Sequence, residues 1–156
     1  GTGLASLPTT ATYGQSGQPD EALVESGKRV WQGRAGCYNC HGWAGSGEAE
    51  FNYPRGADLR VTTLDAEQIA EIVKCGRPGS QMPFHERAAY TDDRCYGATK
   101  DELGDQTPPF GTSLQPAQIL SVAAYVAARI KGRGAITKAE CMEYFAENPG
   151  ICKAYD

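Results

Sequence analysis

The sequence predicts an all-α chain, and three observations carry that expectation. Apolar residues recur at helical spacing in three separate segments. Helix-start and helix-stop residues bracket those segments, and the period-2 alternation of a half-buried strand is nearly absent. At 156 residues with 40% hydrophobic content, the chain is long enough for one compact core.

The first helix is expected from about Pro19 to Gln32, after a Gly-, Ser- and Thr-rich arm over residues 1–18. Leu23, Gly27, Val30 and Trp31 fall near one face, and Asp20 and Glu21 sit where the positive end of the helix dipole favours acid. The glycines of "CHGWAGSGE" then force a loop. A second helix spans about Ala66 to Lys74, with Asp65 as N-cap, Gln68 at the capping-box position, and Gly76 and Pro78 as terminators. From Gly76 to Ser113 the periodicity is weak, and so long a connection points to function or to a covalent staple. The third helix starts on Pro116 and runs to about Lys131, with Ile119, Val122, Ala123, Val126 and Ile130 on one face. A short last helix follows Thr137, whose Thr-x-x-Glu to Glu140 reads as a capping box, and stops before Pro149. The organisation expected is an arm over 1–18, a core domain over 19–132, and a helical extension over 133–156 packed on it.

The net charge of −4, with no basic run, argues against a nucleic-acid binder. No apolar run approaches the roughly 18 to 20 residues that span a bilayer, "ILSVAAYVAARI" being the longest candidate. The opening "GTGLAS" reads as a mature chain whose targeting segment has been removed. Six cysteines imply an oxidising compartment such as a bacterial periplasm. With Cys37 and Cys40 set aside, the other four admit three pairings; proximity favours Cys75 with Cys95 and Cys141 with Cys152, each adding about 2 to 3 kcal/mol by restricting the unfolded chain.

The densest chemistry lies in "GRAGCYNCHGWAGSGE", where Cys37, Cys40 and His41 form Cys-x-x-Cys-His. A zinc site needs four ligands, and no second Cys-x-x-Cys or His-x-x-x-His is present. A thioredoxin-like pair belongs at a strand end in an α/β pattern, whereas this one follows a helix. One covalently attached c-type haem accounts for all three residues: two thiols for the porphyrin vinyl groups and an imidazole for iron. Met82, in the irregular "GRPGSQMPFH", is the expected thioether ligand opposite His41, ahead of Met142 and His85. Trp43, Tyr53 and Arg60 lie in the segment that would pass the haem propionates, with core packing or solvent exposure as the plainer alternatives.

An N-terminal helix, Cys-x-x-Cys-His, a later Met and a helix containing "VAAYVAAR" together resemble class I c-type cytochromes. That resemblance implies a fold around one haem, with Gly27 and Trp31 crossing against Tyr125, a disulfide-stapled loop after Met82 and a short extra C-terminal helix. Where the family commonly carries Gly-Pro-x-Leu, this chain has Gly56, Ala57, Asp58 and Leu59, so the carbonyl for the His41 ring would come from Ala57. "KCGRPGSQMPFHERAAYTDDRCYG", "LQPAQI" and "TKAECMEYFAENPGIC" look more narrowly like the periplasmic cytochromes c that serve lanthanide-type, PQQ-dependent methanol and alcohol dehydrogenases. The implied function is single-electron transfer by a carrier that is not itself an enzyme, from such a dehydrogenase toward a downstream cytochrome or oxidase. The alternative is a haem enzyme or gas sensor with an open sixth site. Arg77, Phe84 and Arg87 are the expected docking residues, an apolar centre with a charged rim.

Overall fold

The computed structural model describes residues 20–156, so the arm expected over 1–18 and the Pro19 helix start lie outside the described residues. Six α-helices are present among the described residues: α1 (Glu21–Gln32), α2 (Cys37–His41), α3 (Ala66–Cys75), α4 (Lys100–Leu103), α5 (Pro116–Tyr125) and α6 (Lys138–Tyr144). No strand is formed among the described residues, where an isolated parallel bridge joins Phe84 to Phe110.

The core is built on α1 against α5. Asp20 caps α1 by accepting from the Ala22 and Leu23 amides, which leaves Val24, Gly27 and Trp31 facing inward. A Cβ at Gly27 would lie 1.9 Å from the Ser121 carbonyl oxygen and 2.7 Å from Tyr125 Cβ, so α5 approaches at a distance that only glycine allows. Trp31 then packs on Tyr125 with ring centroids 5.7 Å apart. Helix α3 closes the third side with Ile69, Ala70 and Val73. Its start carries the expected capping box, Asp65 accepting from the Gln68 amide at 2.8 Å and Gln68 Oε1 accepting from the Asp65 amide at 2.9 Å.

The helix expected to continue from Pro116 to Lys131 changes pitch after Tyr125. Residues Val126–Ile130 form a wider π-type turn, closed by the Lys131 amide donating to the Val126 carbonyl at 2.9 Å. This turn seats Ile130 against Gly45, where a Cβ would meet Ile130 Cγ2 at 2.5 Å.

Two segments outside the helical core are held differently. Residues 76–114 leave α3 and return to α5 with little regular structure. Cys75 is bonded to Cys95, and both are fully buried with Ala89 and Tyr90 in a second small cluster. The Tyr90 hydroxyl donates to the Cys75 carbonyl, and the Tyr96 hydroxyl donates to the Gly76 carbonyl at 2.8 Å. Both tyrosines adopt positive φ, at 65° and 56°, which non-glycine residues hold only where surrounding contacts fix them. Helix α4, in this segment, has a full Thr99–Glu102 capping box.

The C-terminal residues 133–156 are tied down by a second disulfide, Cys141–Cys152, and by Arg60. Arg60 is 4% exposed and uses all of its N–H groups: Nη1 and Nη2 each reach Glu140 at 2.8 Å, and the Gly134, Ala44 and Ala135 carbonyls take the rest. Because its carboxylate is committed to Arg60, Glu140 forms only half of the expected box: Thr137 Oγ1 accepts from the Glu140 amide at 3.1 Å. Trp43 packs on Tyr144, Phe145 and Tyr155, and its Nε1 donates to the Tyr155 hydroxyl at 3.2 Å.

Candidate functional site: the thiol–imidazole turn and the stapled loop

Helix α2 begins on Gly36, whose φ of 63° lets the chain reverse after α1, and ends on Gly42 at φ 79°. Spacings of three and four residues place Cys37, Cys40 and His41 on neighbouring positions of this single helical turn. The loop that follows hangs from α2 by its backbone: the Cys40 carbonyl accepts from Gly56 at 2.7 Å, and the His41 carbonyl from Gly47 at 2.8 Å.

His41 Nδ1 lies 2.9 Å from the Ala57 carbonyl oxygen. A carbonyl can only accept, so Nδ1 carries the proton and the lone pair sits on Nε2. Gly56 makes the approach possible, since a Cβ there would fall 2.7 Å from Nδ1. Burial lowers the His41 pKa below the ordinary imidazole value, partly opposed by the Ala57 hydrogen bond, so the ring is neutral at neutral pH. Cys37 and Cys40 are not disulfide-bonded. Burial pushes the Cys37 thiol up to about 12 and raises that of Cys40. The turn therefore offers two protonated thiols and a fixed, neutral imidazole. Reactive cysteines need the opposite, a depressed pKa and a thiolate.

Met82 sits half-buried in the stapled loop, in a turn where its amide donates to Ser80 Oγ at 3.1 Å and its carbonyl accepts from Arg77 at 3.2 Å. Met142 is 43% exposed on α6. His85 is 2% exposed; its Nδ1 lies 2.7 Å from the Thr112 carbonyl, and a Cβ at Gly111 would fall 2.6 Å from its Cε1. It is thus a buried clasp between residues 83–86 and 109–114. Trp43 and Arg60 secure the C-terminal segment as described, and Tyr53 is 51% exposed beside the outward-facing Phe51. Arg77 and Arg87 are exposed, whereas Phe84 is half-buried, packed on Tyr90 and on Phe110 at 5.2 Å. Phe110 is 50% exposed and was not singled out in the sequence. Its partnership with Phe84 depends on a pairing between positions 26 apart that leaves no local pattern.

No family model, curated protein or solved structure matches the chain. Among the described residues no group of three or more His, Cys, Asp and Glu side chains is placed to hold a metal ion. Neither the cleft between α1 and α5 nor the one beside Arg60 is lined by Cys37, Cys40, His41 or Met82, and Cys37 is packed against the main core cluster. The residues as arranged therefore do not fit one covalently attached c-type haem. The resemblance to class I cytochromes and to the partners of PQQ-dependent dehydrogenases is corrected accordingly: the all-α architecture stands, and the haem-centred fold, the iron centre, the electron-transfer role and the haem-enzyme or gas-sensor alternative are set aside. Among the described residues no helix is long and apolar enough to cross a membrane.

Proposed function

We propose that the protein is a non-catalytic docking protein of an oxidising extracytoplasmic compartment, such as a bacterial periplasm, and that the stapled loop from Arg77 to Arg87 is its contact face. The observation that carries this reading is the way the loop is held. Its backbone is fixed from behind by the Cys75–Cys95 bond and two tyrosine hydroxyls, while Arg77, Pro78, Gly79, Ser80 and Arg87 are turned outward. A surface fixed before contact loses little conformational entropy on binding. Neither Arg77 nor Arg87 is in an ion pair among the described residues, so both are available to an acidic rim. Phe84 and Phe110 supply the apolar centre beside them.

Two buried disulfides support the compartment. The protonated thiols support the absence of catalysis by Cys37 and Cys40. Alkylation of Cys37 near neutral pH should accordingly run roughly three orders of magnitude slower than that of an ordinary cysteine; a rate like that of a free thiol would contradict the assignment.

The partner class proposed is a protein of the same compartment that presents an acidic rim around an apolar centre, with an Asp- and Glu-rich peptide carrying phenylalanine as the probe. Its affinity for the wild type should fall about tenfold in the Arg77→Glu/Arg87→Glu variant at low ionic strength, the two curves converging as salt is raised. Equal affinities at low salt would place the contact elsewhere, and a wild type that does not bind the peptide would remove that partner class.

A further inference from the structure

A cleft of about 490 Å³ opens between α1 and the start of α5, and neither Cys37, Cys40 and His41 nor the Arg77–Arg87 loop lines it. Its apolar lining comes chiefly from Leu23, Val30 and Leu114, and its rim carries Arg29 and Arg34. No aspartate or glutamate lines it, in a chain whose net charge is −4.

A second cleft, of about 280 Å³, also contains arginines, but it is lined by Glu25, Glu140 and Glu143 as well, with Arg60 paired to Glu140 and Arg129 to Glu143 while Arg133 is in no ion pair among the described residues. Arg94, on the surface, is paired with Asp92 and Glu86. Arg29 and Arg34 are in no ion pair among the described residues. Arg29 spends one Nη2 hydrogen bond on Ser26 Oγ at 3.0 Å, which orients the guanidinium and leaves its other N–H groups without a partner among the described residues. The main chain at Arg34 is pinned to the opposite wall, its carbonyl accepting from Thr112 Oγ1 at 3.0 Å. The cleft thus joins two uncommitted guanidinium groups to an apolar wall, and its volume lies within the range of small-molecule sites.

We propose that this cleft binds a small organic anion with an apolar body, a medium-chain carboxylate being the simplest member. Guanidinium groups match a carboxylate in geometry and charge. The alkyl chain lies against Leu23, Val30 and Leu114, where it removes apolar surface from water. A site this open gives weak, rapidly exchanging binding.

The test titrates octanoate into the full chain and follows backbone amide NMR shifts, with octanol as the uncharged analogue of equal chain length. Saturable shifts should be confined to Leu23, Val30, Leu114 and their neighbours. The Arg29→Gln/Arg34→Gln variant should bind at least about tenfold more weakly, and octanol should lose a comparable factor. Both side chains are exposed, so the variant should melt with the wild type. The proposal is overturned if shifts fail to saturate or spread over the surface, if the double variant binds as tightly, or if octanol binds as well as octanoate. Docking at Arg77 and Arg87 uses different residues and is unaffected by any of these results.

Discussion

The helical core and the two segments stapled to it are held by different physics. Where α1 meets α5, stability comes from apolar surface buried at a backbone approach that Gly27 makes possible, with Trp31 and Tyr125 stacked beside it. In residues 76–114 and 133–156 apolar packing is confined to small clusters, around Ala89 and Tyr90 in the first and around Trp43 in the second, and each segment has in addition one buried disulfide and a polar anchor: two tyrosine hydroxyls in the first, Arg60 with Glu140 in the second. A core of the first kind responds to volume. A segment of the second kind responds to the loss of a single bond, and it can present a rigid surface without regular secondary structure.

Arg60→Met should give the largest loss of stability. It removes five hydrogen bonds at once and leaves Glu140, 17% exposed, without its counter-charge. Breaking a buried pair from one side costs about 3 to 5 kcal/mol, to be read as a fall in the denaturant midpoint. A cost under about 1 kcal/mol, the range of surface pairs, would show that the anchor is incidental. Gly27→Ala comes next, at about 2 to 3 kcal/mol, because a methyl group 1.9 Å from the Ser121 carbonyl forces the helices apart and outweighs alanine's better helix propensity. Stabilisation by this substitution would refute the close crossing.

Tyr96→Phe should have a smaller effect, about 1 kcal/mol, from the hydrogen bond lost to the Gly76 carbonyl. Its signature is local: exchange protection should fall in residues 76–82 and hold in α1 and α5. The smallest expected effect is a pH dependence. His41 and His85 have folded-state pKa values lowered by burial, each opposed by a backbone hydrogen bond. The unfolded chain therefore binds more protons in the window below about pH 6.5, and stability present above that pH is lost as pH falls through it. His85→Asn should flatten the slope; an unchanged slope would show that His85 does not report on folding.

The start of α3 and the inward face of α1 were legible because their information is local. Asp65 precedes its helix by one residue, and Gly27 and Trp31 follow from a period near 3.6, whereas Asp20 was placed inside the first turn of α1 and caps it instead, and the Tyr125 crossing was an implication of the resemblance. The proximity argument for Cys75 with Cys95 and Cys141 with Cys152 agrees with the bonds formed. Helix α4 was missed although Thr99-x-x-Glu102 was there to be read, because its four residues are too few to show a period. The anchors were not legible. Arg60 and Glu140 are 80 residues apart, His85 and Thr112 are 27 apart, and such pairings leave no trace in a local window. The same holds for the candidate site: the spacing in Cys37-x-x-Cys40-His41 gave its donor atoms, while the burial that keeps both thiols protonated is a property of the surrounding fold.

Hydrogen exchange in the Cys75→Ala/Cys95→Ala variant tests most directly whether the docking loop is organised by its staple and not by the helical core. Removing this bond should cost about 3 kcal/mol. Amides whose bonds hold the segment, Phe84 to the Pro109 carbonyl, Lys100 to Tyr90 and Gly111 to Phe84, should lose most of their protection, while those of α1 and α5 keep the protection set by the remaining global stability. Uniform loss across both regions, or an unchanged loop, would contradict the account.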